Sequence, residues 1–216
     1  MKIFHFLPIF ILIFFLSCSK DSKTIKISGN VKDPMQNKTV AGAKVVLSAN
    51  KISSGVYSNN YVELASASTD ANGNYSFEIE QEIVNGYRFT IIKDKYFDNQ
   101  TDIKTDLIND KASFKKDFSI FPSATINMHI ENLIPSSAND NISFRFQNAD
   151  QNCSTCCNST YINGAGSSFN QTIECKVVGN RYLVFDYTIT QNGNHTYITD
   201  SVFMEVFQLK NHVIYY

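Results

Sequence analysis

Apolar and polar side chains alternate with a period of two through most of this chain. Ile25 and Ile27 alternate with Thr24, Lys26 and Ser28, and Gly29 and Val31 keep the same phase. Such a pattern predicts a strand with one buried face. Val45 and Leu47 share a face after the small residues Val40-Ala-Gly-Ala, and Tyr61 to Thr69 predicts a further strand. Tyr75, Phe77 and Ile79 alternate with Asn74, Ser76, Glu78 and Glu80; Tyr87, Phe89 and Ile91 continue the pattern, and Phe118 with Ile120 predicts a closing strand before Pro122. The alternation restarts at Ile126, Met128 and Ile130, then at Ile142, Phe144 and Phe146. It returns at Ile173, Cys175 and Val177, and at Leu183, Phe185, Tyr187 and Ile189, with Tyr197 to Leu209 as a long final strand or pair. Between strands stand turn formers: Asp70-Ala-Asn-Gly, Pro135 to Asn141, and Gln191-Asn-Gly-Asn. Asn and Gly tolerate the positive φ that tight hairpins require. Short strands, frequent turn signals and no sustained 3.6 period predict an all-β chain of two tandem antiparallel β-sandwich domains. Their expected spans are 24–121 and 122–216, joined near Pro122.

The N-terminus departs from this pattern. Lys2 is followed by an apolar run from Ile3 to Leu16, then Ser17-Cys18. A charged start, an apolar stretch and a small residue before a cleavage point form a secretory signal, expected over residues 1–17. The run falls short of the roughly 18 apolar residues that a membrane span requires. Phe15-Leu16-Ser17-Cys18 resembles the bacterial lipobox. That resemblance implies a lipoprotein in which Cys18 is the first mature residue and carries acyl chains such as palmitate, with residues 18–23 as a tether. The expected location is the cell envelope, as an outer-membrane lipoprotein on the periplasmic side or the cell surface. Ser19-Lys20-Asp21 loosely resembles the export signals of some Bacteroidetes lipoproteins.

Three segments of the first half carry a second resemblance: Gly29-Asn30-Val31, Ala41-Gly42-Ala43-Lys44-Val45, and Thr69-Asp70-Ala71-Asn72-Gly73-Asn74-Tyr75-Ser76-Phe77. Together, over about residues 24–97, they resemble the carboxypeptidase regulatory-like domain. The resemblance implies a transthyretin-like sandwich without catalysis of its own. Asp70, Asn72 and Asn74 have the spacing of a calcium loop, but an EF-hand wants Gly at its sixth position and Glu at its twelfth. Tyr75 and Gln81 stand there, so the stretch is expected to be a hairpin turn.

Charge is nearly balanced, with 19 Lys+Arg against 20 Asp+Glu. Only Lys2 is lost with the leader, so no basic field remains to recruit nucleic acid. Residues 98–116, where lysines and aspartates mix around Ile103, Leu107 and Ile108, are expected to be a solvated connection or a short helix. Asp200-Ser201-Val202 resembles the O-glycosylation motif of Bacteroidetes, on an expected strand. Tyr57, Tyr61, Tyr96, Tyr161, Tyr215 and Tyr216 are candidates for a sugar-stacking platform, against ordinary core or rim packing.

Cys153, Cys156, Cys157 and Cys175 remain after Cys18. Four thiolates could hold zinc, but an exported chain favours disulfides. A vicinal Cys156–Cys157 bridge is strained, and Cys175 shares the inward phase of Ile173 and Val177. The favoured pairing is therefore Cys157–Cys175 with Cys153–Cys156, and the close alternative is Cys156–Cys175 with Cys153–Cys157. Gly164-Ala-Gly166-Ser-Ser lacks the Gly-x-Ser-x-Gly of a nucleophile elbow and is expected to be a flexible loop. His129, His195 and His212 form no metallopeptidase motif. No catalytic residue, cofactor or metal ligand is assigned. The sequence points to a membrane-anchored, non-catalytic binding or scaffolding lipoprotein with an envelope protein or glycan as partner. The alternatives are a carbohydrate-binding accessory lipoprotein of a nutrient-uptake system and a hydrolase with an unrecognised carboxylate pair.

Overall fold

The computed structural model describes residues 23–216 apart from 54, 55, 110, 150 and 152, without the side chains of 52–59. Residues 1–17 and Cys18 lie outside it. The chain is all-β. Its first half runs β1 (Thr24–Asp33), β2 (Lys38–Thr39), β3 (Lys44–Ser53), β4 (Val56–Ser68), β5 (Asn74–Glu80), β6 (Val84–Ile92) and β7 (Asn99–Ile103). One helical turn, α1 (Thr105–Ile108), precedes β8 (Ser113–Lys115) and β9 (Phe118–Ser119). The second half comprises β10 (Ser123–Glu131), β11 (Asn141–Phe146), β12 (Ile162–Ala165), β13 (Asn170–Val178), β14 (Arg181–Gln191), β15 (Asn194–Met204) and β16 (Leu209–Tyr215).

In the first half one sheet is centred on β1, which pairs with β2, β5, β8 and β9, and the other has the order β4-β3-β6-β7. The phase read from the sequence is the phase that is buried: Ile25, Ile27 and Val31 from β1 meet Val45, Leu47, Tyr87, Phe89 and Ile91 in one core. The second half packs a β13-β10-β16 sheet on a β12-β11-β14-β15 sheet. Its core joins Ile126, Met128, Ile130, Phe144, Phe146, Leu183 and Phe185. Each fully buried Phe or Ile in these layers contributes about 1.5–3 kcal/mol of transfer free energy. The two apolar clusters fall on either side of residues 121–123, spanning Ile25 to Ile120 and Ala124 to Tyr216.

Local chemistry sets the turns. Asp70 Oδ1 accepts the backbone N–H groups of Asn72 and Asn74, at 2.9 and 2.7 Å. These bonds hold the carboxyl below its ordinary range, the Asn74 bond first. Gly73 takes the positive φ of 75°. Buried Thr69 donates its hydroxyl to Val40 O at 2.6 Å and accepts from Ala43 N at 2.8 Å, which fastens Val40-Ala-Gly-Ala to the strand entering the turn. At the β14–β15 hairpin, Asn192 and Gly193 both have positive φ, 51° and 75°, as a primed turn requires.

Three features depart from the sequence reading. The sheets are mixed rather than purely antiparallel: β8 and β9 run parallel to β1, and β16 runs parallel to β10. The polar segment 98–116 is not a solvated connection. It holds an edge strand, a helical turn and another strand, with Ile103 and Ile108 buried. One apolar contact per element suffices there because the backbone bonds to β6 and β1 supply the order. Gly164 and Ala165 belong to β12, not to a loop; a Cβ at Gly164 would stand 2.5 Å from the Phe169 ring, so glycine lets that ring lie flat on the strand.

Candidate functional site

Tyr161 stands beside Arg145 on the solvent-facing side of the β12-β11-β14-β15 sheet, and Tyr197 lies farther across the same face. Arg145 projects from β11 opposite Asp186 of β14. Its Nε lies 3.0 Å from Asp186 Oδ1 and 3.2 Å from Oδ2. Asp186 is only 2% exposed, so the cation stands over a carboxylate that it covers. The guanidinium carbon is 4.8 Å from the centroid of the Tyr161 ring. Tyr197, on β15, is in register with Thr188, two residues along β14 from Asp186 and on the same side of the strand. The hydrogen bond that Arg145 donates to Asp186 raises the arginine's pKa above its ordinary value, and the fields of Asp186, Tyr161 and Tyr197 act in the same direction. Tyr161 is 50% exposed and Tyr197 62%. Neither terminal nitrogen of Arg145 has a hydrogen-bond partner among the described residues. The face therefore presents a fixed cation with unspent N–H donors beside aromatic rings.

The cysteines tie down the connection that leads to Tyr161. Cys153 is joined to Cys156 and Cys157 to Cys175. Cys175 belongs to β13 in one sheet, whereas Cys157 lies on the connection between two strands of the other, so the second bridge ties the layers together. Cys157 N–H donates to Lys176 O at 3.0 Å and Lys176 N–H to Thr155 O at 2.8 Å, which adds a short parallel bridge along β13. The chain leaves this staple and reaches Tyr161 directly before β12.

The first half repeats the arrangement in another form. Arg88 of β6 is in register with Asp102 of β7 and stacks on Tyr61, with its guanidinium carbon 4.0 Å from the ring centroid. Here Nε and Nη2 both engage the carboxylate, at 2.6 and 2.9 Å. That fork raises the arginine's pKa and lowers that of Asp102. Two donors are spent on an exposed partner, so this triad is an internal cross-strand tie with less left to offer.

The candidate tyrosines do not form one platform. Tyr61 lies under Arg88 and Tyr161 beside Arg145, Tyr96 is on the β6–β7 connection opposite Pro122, and Tyr215 stands edge-on to His129. Tyr216 is buried, and Tyr57 falls outside the described side chains. His129 bonds Thr172 and Glu131, His195 bonds Thr190, and His212 packs against Phe185, where burial lowers its pKa. Asp200 and Ser201 lie on β15 as expected. Among the described residues no group of three His, Cys, Asp or Glu side chains converges as a metal site, and no helix is long and apolar enough to cross a membrane. Sequence reasoning missed Arg145, Asp186 and Tyr197, which read as ordinary polar positions of strands.

No family model matches the chain. No similar curated protein was found either. Among solved structures, 3-chlorocatechol 1,2-dioxygenase from Rhodococcus opacus 1CP aligns with 15% identity and a TM-score of 0.35, over 47% of this chain and 61% of that one. The Bacillus anthracis TIE protein aligns with 12% identity and a TM-score of 0.37, over 89% of this chain and 34% of that one. The shaft pilin SpaA from Lactobacillus rhamnosus GG aligns with 6% identity and a TM-score of 0.34, over 90% and 97%. The chain thus spans less than two thirds of the length of the first two. Likeness at this level assigns it no activity, ligand or partner.

Proposed function

We propose that this protein is a lipid-anchored, non-catalytic binding module of the cell envelope, held at the membrane through Cys18 and presenting the Tyr161–Arg145–Tyr197 face to its ligand. The observation that carries the reading is Arg145: a guanidinium fixed by a buried carboxylate, with both terminal nitrogens unspent, beside exposed Tyr161 and on the same face as exposed Tyr197. Fixing the cation in advance lowers the ordering cost of binding. A glycan is the ligand class favoured, because tyrosine rings take the C–H face of a sugar while the N–H donors take its hydroxyls. A glycan ligand would favour the alternative form of this reading, a carbohydrate-binding accessory lipoprotein of a nutrient-uptake system.

The test uses the full chain expressed in a bacterial envelope and purified in detergent. Cys18→Ala is expected to leave the protein unprocessed or free of the membrane; normal signal cleavage with unchanged membrane fractionation removes the anchor from the reading. A glycan array is expected to show binding that Tyr161→Ala and Arg145→Gln each weaken about tenfold or more. An array without binding, or binding that neither substitution alters, overturns the assignment of this face.

A further inference from the structure

A second site lies where the two halves meet. A cleft of about 360 Å³ opens between the β2 and β6 ends of the first half and Phe207 of the second, lined by Lys38, Lys93 and Lys95, by Asp94, and by Tyr96 and Phe207. This volume is within the range of small-ligand pockets. Tyr96 and Phe207 stand with ring centroids 5.3 Å apart, tilted by 59°. The Tyr96 hydroxyl donates to Asp33 Oδ2 at 3.2 Å; burial, followed by the Asp33 charge, pushes its pKa up to about 12. The ring is therefore anchored at its far end.

Two residues of the cleft hold backbone conformations that non-glycine residues rarely adopt: Lys95 at φ 63° and Phe207 at φ 64°. Left-handed backbone at a bulky residue persists only where its surroundings enforce it, and such positions cluster at binding sites. Ser123, the first residue of β10, enforces both. Its N–H and its hydroxyl each donate to Lys95 O at 2.8 Å, and its carbonyl accepts from Phe207 N–H at 2.8 Å. The cleft wall is thus fixed before any ligand arrives.

The charge around it is net positive, with Lys38, Lys93 and Lys95 against the single carboxylate of Asp94. Lys38 Nζ has Gln36 Oε1 at 3.0 Å and Lys93 Nζ has Gly42 O at 3.4 Å, both neutral acceptors. None of the three ammonium groups has a carboxylate within ion-pair distance among the described residues, although Asp94 is on the rim. The lining has no arginine fork and no helix N-terminus, so it lacks the groups that hold a phosphate bidentately or by backbone N–H donors, and offers it only point charges. It instead combines dispersed ammonium charge with two aromatic rings.

We infer that this cleft binds a carboxylated saccharide, its carboxylates against Lys38, Lys93 and Lys95 and the C–H face of a ring against Tyr96 and Phe207. The site is separate from the Tyr161–Arg145–Tyr197 face and does not depend on that reading.

Calorimetric titration of the full chain in detergent, with oligogalacturonate as the probe and an uncharged galactose oligomer of equal length as control, tests this. Oligogalacturonate is expected to bind, more weakly as salt rises from about 50 to about 200 mM. The uncharged oligomer is expected to be at least about tenfold weaker, and Lys93→Gln with Lys95→Gln to cost about tenfold or more. Phe207→Ala is expected to weaken the probe, and Arg145→Gln to leave it unchanged, which separates this site from the outer face. Unaltered thermal unfolding of the double lysine variant shows that charge, not folding, was removed. No binding, equal binding of the uncharged oligomer, or full affinity in the double variant overturns the inference. Displacement of the probe by inorganic phosphate at equal concentration replaces the saccharide assignment with a general anion site.

Discussion

At the scale of single residues, the most constrained position is Gly29. A Cβ there would lie 1.7 Å from Lys116 O, where the chain crosses β1 between β8 and β9. That carbonyl accepts from the Tyr75 hydroxyl at 2.7 Å, so it is held from the other side as well. Gly29→Ala is expected to push Lys116 off β1 and to cost about 3 kcal/mol or more in urea unfolding. A loss below about 0.5 kcal/mol contradicts this account. Asp140 is the second such residue. Buried in the loop before β11, it accepts from the Ser136 and Ser137 hydroxyls, from the N–H groups of both, and from the Asn132 amide. These bonds, the Ser136 hydroxyl first, hold its carboxyl well below the ordinary carboxylate range. A lowered folded-state pKa gives stability that is present above the unfolded value, about 4, and is lost as pH falls below it. The thermal midpoint of the native protein is expected to drop below about pH 4 more steeply than that of Asp140→Asn. Parallel pH profiles for the two would exclude a charged Asp140 as the loop's anchor.

The connection from β11 to β12 shows what a covalent link does for an element. Its described residues form no regular strand, and their apolar contacts include buried Cys157 and Ala149 at the margin of the core. The Cys157–Cys175 bridge closes a sequence separation of 18 residues and crosses between sheets. Loop-closure entropy assigns a bridge of this size about 3 kcal/mol. Cys157→Ser with Cys175→Ser is expected to lower the stability of the second half by about that amount, and to weaken ligand binding at the outer face by releasing Tyr161. Cys153→Ser with Cys156→Ser is expected to cost less, because that bridge spans a separation of only three. Chemical denaturation of the two double variants under non-reducing conditions compares them directly. Equal losses would mean that the inter-sheet staple has no special role.

For the whole molecule, we propose a division at Pro122 into two folding units, 24–121 and 122–216; one apolar cluster lies on each side of it. The junction is joined by contacts of another kind: the Ser123 bonds to Lys95 and Phe207, the Tyr96–Phe207 ring pair, and a hydrogen bond from the Asn180 amide to Met35 O. Polar bonds and one aromatic pair orient two bodies without fusing their cores. Expressed alone, each half is expected to unfold cooperatively, with the junction contacts adding to the melting temperature of the intact chain. Two halves that both fail to fold would show that the division is wrong.

Alternation of apolar and polar residues is a local property with a period of two, so the sequence by itself determined most strands and the face each one buries. Ile25, Phe89, Ile126 and Phe185 are core residues for that reason alone. Turn chemistry was equally legible at Asp70 to Asn74 and at Asn192-Gly193, because side-chain acceptors and positive φ act within a few residues. Strand direction is not local. The parallel pairing of β16 with β10 joins residues more than eighty positions apart and depends on which apolar faces pack. The same holds for both candidate sites. Arg145, Asp186 and Tyr197 each look like a polar position facing solvent, and only cross-strand register buries Asp186 beneath Arg145. Lys38, Lys93 and Phe207 come from three distant segments. Lys38 and Lys93 come together through packing within the first half, Phe207 joins them through its bond to Ser123, and no single stretch of the chain encodes the set.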